Sequence, residues 1–215
     1  KPPSEYTRTA TVPLRHPTIL QIIPRLDTGG AERAVVEISD AVVKAGGRAL
    51  VVGEQGRLSA DVIAAGGEII DLPAATKNPV RMLVNARALA KLIRSENVAL
   101  IHARSRAPAW SALIAARQTG IPFVTTYHGA YNERGRLKRL YNSVMARSDV
   151  VIANSKFTAD LIKSRYGTAP EKIRIIYRGI DLDVFDAARI DADRIAALRS
   201  RWGVPADARI ILQAA

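Results

Sequence analysis

The chain has 215 residues, 48% hydrophobic and 24% charged, which is enough to bury a sizeable core and too apolar for general disorder. Its 32 Lys and Arg against 20 Asp and Glu leave a net charge of +12, pointing to nucleic acid, an acidic membrane surface or phosphorylated small molecules, or else to an arginine-rich but ordinary soluble protein. Without cysteine there is no disulfide, thiolate metal site or cysteine nucleophile, and no apolar run reaches the roughly 18 residues that span a bilayer.

Residues 1–17 are polar and proline-bearing, lack the apolar stretch of a signal peptide, and read as a mobile extension. "TILQIIPR" then predicts a buried strand, and "AERAVVEISDAVVKAGG" a helix closed by Gly46 and Gly47. "RALVVG" is a second strand, "SADVIAAGG" a short helix capped by Ser59, and "EIIDL" a third strand. In "PVRMLVNARALAKLIRSEN" a proline opens the helix, and Met82, Leu83, Ala86, Leu89, Ala90 and Ile93 form its apolar stripe.

The alternation continues through strand "ALIHAR", helix "APAWSALIAARQTG", strand "PFVTTY", a basic helix over Glu133 to Arg147, strand "VVIANS", helix "KFTADLIKSRYG" and strand "KIRIIYRG". Seven strands separated by helices predict an α/β, doubly wound, mostly parallel Rossmann-like sheet. After Gly179 the pattern becomes a turn-rich link with one short helix over 180–208, and "RIILQAA" over 209–215 reads as the first strand of another unit.

Ligands of such sheets bind beyond the carboxyl ends of the strands. After the first strand, Gly29 and Gly30 allow close backbone approach, and the helix behind them offers unpaired N–H groups, although a tight strand-to-helix turn also explains both glycines. Neither G-x-G-x-x-G nor G-x-x-x-x-G-K-[ST] is present, which argues against a nicotinamide-dependent oxidoreductase. After the fourth strand, His102 reads as a satisfied core histidine, while Arg104 and Arg106 are placed at the rim, where guanidinium groups suit carboxylate or phosphate. After the fifth, His128 followed by Gly129 fits either a sugar-hydroxyl contact or a turn histidine capping the next helix. Ser155, after the sixth, has N-capping as its simplest role.

The three histidines have no metal-ligand spacing, and no nucleophile elbow or close carboxylate pair occurs. In the basic helix Leu137, Leu140, Tyr141, Val144 and Met145 repeat at helical spacing, with Arg136, Lys138 and Arg139 alongside. That combination suits core packing on one side, or an anionic membrane surface. Scattered cations and 5% aromatics leave few stacking platforms, so nucleic acid is not expected as a partner.

Taken in order, "DTGGAERAVVEIS", "IHARS", "TTYHG" and "ARSDVVIANSKFTADLIKSRYG…KIRIIYRGIDLDVF" resemble the N-terminal half of GT-B fold, family 4 type retaining glycosyltransferases, over about Ile19 to the end. The resemblance implies a nucleotide-sugar donor as co-substrate, no cofactor or metal, and transfer with retention to a cell-surface glycan or a glycolipid or other lipid-linked acceptor. It implies that residues 18–179 are the acceptor-binding domain of a cytoplasmic enzyme, and the basic helix adds the expectation of a peripheral place at the inner face of the membrane. Gly29 and Gly30 would face the donor phosphates and acceptor, and His128 would touch the donor sugar near the reacting centre. Arg104, Gly129 and Ser155 would line the acceptor side. The family's asparagine before the linker glycine is Arg178 here, and the donor half with its E-x7-E motif is absent from these residues. The 215-residue chain alone is therefore expected to lack transferase activity. The competing reading is a non-enzymatic Rossmann-like module for an anionic ligand or nucleic acid.

Overall fold

The computed structural model describes residues 16–180, 185–205 and 207–213. All seven expected strands form: β1 Thr18–Arg25, β2 Arg48–Glu54, β3 Glu68–Ile70, β4 Val98–Ala103, β5 Phe123–Tyr127, β6 Val150–Ala153 and β7 Ile173–Ile175. They make one sheet in the order β3-β2-β1-β4-β5-β6-β7, every pair parallel. The strand order reverses between β1 and β4, so the loops after those two strands flank the crevice where such sheets take their ligands.

The helices are α1 Gly30–Lys44, α2 Ser59–Ala64, α3 Pro79–Ser95, α4 Arg106–Thr119, α5 Arg136–Asn142, α6 Lys156–Tyr166 and, in the last segment, α7 Ala192–Trp202. Successive strand side chains point to opposite faces, and the core divides accordingly. Ile23, Leu26, Val35, Val36, Val51 and Val62 pack with α1 and α2. Leu20, Ile22, Leu50, Val52, Leu89, Phe123, Val144, Met145 and Ile162 belong to the larger cluster under α3, α4 and α6. Pro24, which has no N–H to offer, sits where the β1–β2 register shifts.

Helix ends follow the chemistry expected of them. Asn78 caps α3 by accepting from the Val80 and Arg81 amides at 2.9 and 3.2 Å, with Pro79 next. The apolar stripe of α3 starts later than its spacing suggested, because Leu83 is exposed while Ala86, Leu89, Ala90 and Ile93 are buried. The basic helix is also shorter than expected. It begins after Gly135 and tightens into a 3-10 turn, Ser143–Ala146. Three residues per turn rotate the apolar face, so Val144 and Met145 are fully buried while Leu137 and Leu140 stand 83% and 52% exposed.

Three further expectations change. His16 and Pro17 are not part of a mobile extension: the His16 ring lies 2.6 Å from the Gly46 carbonyl, and the Arg48 amide donates to the Pro17 carbonyl at 3.0 Å. Residues 1–15 lie outside the described residues. At the other end 209–213 form no strand, since a strand exists only where a neighbour accepts its hydrogen bonds. The chain divides into one compact unit ending at Tyr177 and a second from Arg178. In the second, α7 is capped by Asp191, whose carboxylate accepts from the Arg194 amide at 2.6 Å, and ends at Gly203. Among the described residues no helix is long and apolar enough to cross a membrane.

Candidate functional site

Beyond the carboxyl ends of β1, β4, β5 and β6 lie the residues singled out from the sequence. Gly29 precedes α1 with φ of 148°, a conformation that favours glycine, and a Cβ there would displace the Glu32 carboxylate, 2.4 Å away at the end of a flexible side chain. Gly30 is the first residue of α1, and among the described residues no side chain caps that helix. Its first amides and positive dipole end therefore face outward beside Gly29.

Arg104 is not at the rim. It is 4% exposed, its amide extends the ladder to the Ile22 carbonyl, and its guanidinium donates twice to Gln21 Oε1, at 3.1 and 2.8 Å. Gln21, fully buried in mid-β1, uses its Nε2 to donate to the Val35 carbonyl and to Ser39 Oγ of α1 at 3.1 and 3.0 Å. Alternation along the strands puts Gln21, His102, Arg104, Thr126 and His128 on one face, a polar row crossing β1, β4 and β5. The two arginines of "ARSRA" part company because one ends a strand and the other begins a helix.

His102 is a core histidine, its Nε2 2.7 Å from Thr126 Oγ1. Burial above all, then the charges of Arg104 and His128, push its pKa well below the ordinary 6.5. The imidazole is thus neutral in the folded protein. Below about pH 6.5 the unfolded chain takes up a proton that the folded one refuses. Stability is therefore full above that pH and falls beneath it, by up to about 1.4 kcal/mol per pH unit. Thermal melts across this range are expected to show the slope. His102→Gln, which keeps a partner for the Thr126 hydroxyl, should flatten it; an unaltered slope would assign the acid sensitivity to other groups.

His128 and Gly129 open the loop between β5 and α5. Asn154 Nδ2 donates to the His128 carbonyl at 3.2 Å, and Thr158 Oγ1 in turn donates to Asn154 Oδ1 at 2.8 Å. A Cβ on Gly129 would meet nothing within 4 Å, so packing does not demand glycine there. Ser155 caps α6, its oxygen accepting from the Thr158 amide at 3.1 Å. Capping therefore already occupies the Ser155 hydroxyl.

The rest of the loop is tied at several points. Arg165 donates to the Tyr131 carbonyl at 2.8 Å and lies 3.7 Å from the Glu133 carboxylate, to which Tyr166 also donates. Asn142 Nδ2 donates to the Asn132 carbonyl at 3.1 Å, and Arg106 donates to Asn142 Oδ1 at 2.8 Å. The Arg106 guanidinium also lies 4.2 Å over the Tyr131 ring, whose centroid is 4.5 Å from that of Tyr127 with the two planes tilted by 45°. Burial pushes the Tyr131 phenol up to about 12, leaving the ring neutral beneath the cation.

On the α5 side these elements enclose a pocket of about 570 Å³, bounded by Pro24, Ala75, Lys77, Ser105, Arg106, Ala107, Leu137, Lys138 and Tyr141. Among the described residues its lining has three cations and no carboxylate, with apolar walls between them, an arrangement suited to an anionic group on a compact polar molecule. Lys77 has no mark in the sequence, and Arg106, placed at the rim beside Arg104, was not carried forward with it to the acceptor side. Lys138 was chosen from the sequence, but as part of a surface with Arg136 and Arg139, which lie on the far side of α5.

Comparison with known proteins bears on the family and the fold. A sequence-family profile described as Glycosyltransferase Family 4 matches residues 28–184. The D-inositol 3-phosphate glycosyltransferase 1 of Catenulispora acidiphila is 28% identical over 129 residues, covering 53% of this chain and 29% of that protein. A D-inositol 3-phosphate glycosyltransferase of Xylanimonas cellulosilytica is 36% identical over 70 residues, 32% of this chain and 17% of its own. A glycosyltransferase structure from Rickettsia africae matches with TM-score 0.77 and 33% identity over 89% of this chain. The Anabaena HepE structure with UDP-glucose matches in fold, with TM-score 0.68 at 21% identity over 87% of this chain and 50% of that one. The chain spans less than a third of these curated relatives and 51% of the Rickettsia chain.

Proposed function

The chain belongs to glycosyltransferase family 4, and on that premise we propose that it holds the acceptor for sugar transfer from a nucleotide-sugar, and that the acceptor carries a phosphate. The observation that carries this reading is the pocket beyond β1 and β4, whose lining supplies Lys77, Arg106 and Lys138 and, among the described residues, no opposing carboxylate. The names of the curated relatives, which act on D-inositol 3-phosphate, support a phosphorylated polyol as the first candidate. A lipid-linked diphosphate in a cell-surface glycan or glycolipid pathway presents the same chemistry.

The residues divide the work in physical terms. The cations fix the acceptor phosphate, and the apolar walls exclude water around its ring. That anchoring turns an acceptor hydroxyl toward the crevice at Gly29 and Gly30, where outward amides and the α1 dipole suit the phosphates of a donor such as UDP-glucose. His128 hydrogen-bonds the donor sugar as positive charge develops at its anomeric carbon. It acts neither as nucleophile nor as general base. Arg104 contributes through the Gln21 bond, which fixes the two strands that flank the crevice, and a cation there favours a departing diphosphate. Retention of configuration belongs to this proposal through the family resemblance.

The test uses the 215-residue chain, D-inositol 3-phosphate and unphosphorylated inositol. The chain has only two tryptophans, and the Trp110 indole donates to the Tyr141 carbonyl at 3.1 Å beside the pocket, so its N–H resonance reports occupancy. The phosphate is expected to shift this signal saturably, and inositol to do so far more weakly. Lys138→Gln should weaken phosphate binding about tenfold, the worth of one charge-assisted contact. Equal affinity for the two compounds, or no binding of either, would overturn the reading.

A further inference from the structure

The cations expected along one basic helix are divided by α5 between two sides. Lys138 faces the pocket, whereas Arg136 and Arg139, three residues apart and so on one helical side, line a second groove of about 580 Å³ with Leu140, Arg147 and Arg165. Three of these four arginines are held by neutral partners. Arg139 donates to the Arg165 carbonyl, Arg147 Nε to Ser143 Oγ at 3.0 Å, and Arg165 to the Tyr131 carbonyl. Among the described residues Glu133 is the only carboxylate paired with any of the four. From Arg134 to Ser148 the sequence has no acidic residue at all. The same helix holds Leu137 and Leu140 out in solvent, 83% and 52% exposed.

We infer that this groove and the two leucines form a docking surface for a bilayer rich in anionic phospholipid, with headgroup phosphates among the arginines and Leu137 and Leu140 at the acyl boundary. The groove shares no lining residue with the acceptor pocket, and Leu137, which lines the pocket, is where the docking surface meets it. A free phosphate needs the arginines and leaves Leu140, which lies outside the pocket, exposed without a purpose. Nucleic acid needs stacking faces, and among the described residues the groove offers one aromatic, Tyr166, whose hydroxyl is bound to Glu133. An amphipathic, purely cationic segment with outward apolar side chains matches the interface of a charged membrane on both counts. Because α5 also borders the pocket, docking sets the pocket mouth beside the lipid surface.

Flotation of the 215-residue chain with vesicles tests this, comparing phosphatidylcholine alone with a mixture containing phosphatidylglycerol at about 0.1 M salt. Binding is expected only to the anionic vesicles. The pair Arg136→Gln and Arg139→Gln should lower it about 25-fold, at about fivefold per cation. The pair Leu137→Ser and Leu140→Ser, both exposed and so harmless to the fold, should lower it about tenfold with charge unchanged. Arg87→Gln with Lys91→Gln removes the same charge from the exposed side of α3 and should leave binding within about twofold. The proposal is overturned if the chain ignores anionic vesicles, or if the two charge pairs weaken binding equally, since net charge alone would then suffice. Leucine variants that bind normally while inorganic phosphate displaces the vesicles would also overturn it, by making the groove a soluble-phosphate site.

Discussion

Gln21→Leu is expected to cost about 3–5 kcal/mol of unfolding free energy, although the two side chains are nearly the same size. The reason lies in what Gln21 holds rather than in its volume. It is fully buried in the central strand, accepts twice from the Arg104 guanidinium, and donates to the Val35 carbonyl and Ser39 hydroxyl. Leucine keeps the packing and removes all four bonds. A guanidinium 4% exposed then loses the carbonyl that receives two of its N–H groups, and hydrogen bonds taken from a buried charge are costly to lose. The double variant Gln21→Leu with Arg104→Met removes the charge as well. It should be less destabilised than the sum of the singles by about 2 kcal/mol, because one loss no longer strands the other group. Urea unfolding of the four proteins measures the cycle. A single-variant cost under about 1 kcal/mol would mean that the Gln21–Arg104 bond is not what secures the β1–β4 crevice.

That crevice shows how far sequence reasoning reached and where it stopped. Short β-branched runs between helical periods are local signals, and each of the seven strands lies where its run predicts. The positions of Gly29, His128 and Gly129 past the ends of β1 and β5 were legible because glycine and histidine just past a strand stand out whatever the strand order. Gln21 was not, since "TILQIIPR" reads as an apolar run and the partner lies 83 residues away. One polar residue in a central strand was the available signal, for such a residue must find a bond inside. Arg104 and Arg106 were read as equivalent, and a difference of two positions across a strand-to-helix junction buries one and sets the other in the pocket. Lys77 carries no local mark, because the pocket is made by folding the loop before α3 against α4 and α5. The period of α5 was extended through Ser143, where the backbone changes to a 3-10 turn and the apolar face turns with it.

Arg106→Ala is expected to have the larger functional effect, lowering affinity for a phosphorylated acceptor about 100-fold and costing about 2–3 kcal/mol of stability. Two separate roles meet in one guanidinium. One part donates to Asn142 Oδ1, and fully buried Asn142 passes the constraint to the Asn132 carbonyl. The plane also covers the Tyr131 ring at 4.2 Å, and the cation lines the pocket between Lys77 and Lys138. Alanine thus removes a pocket charge and loosens the loop that begins at His128. Arg106→Lys separates the two. Lysine supplies a point charge for the phosphate but has no planar fork to bridge Asn142 while lying on Tyr131. Phosphate affinity should return to within about tenfold of the parent, whereas amide hydrogen exchange over residues 128–135 should remain faster, as in the alanine variant. Exchange restored by lysine along with affinity would mean that charge alone orders the loop. Affinity that stays low while exchange recovers would mean that Arg106 serves the loop and not the acceptor.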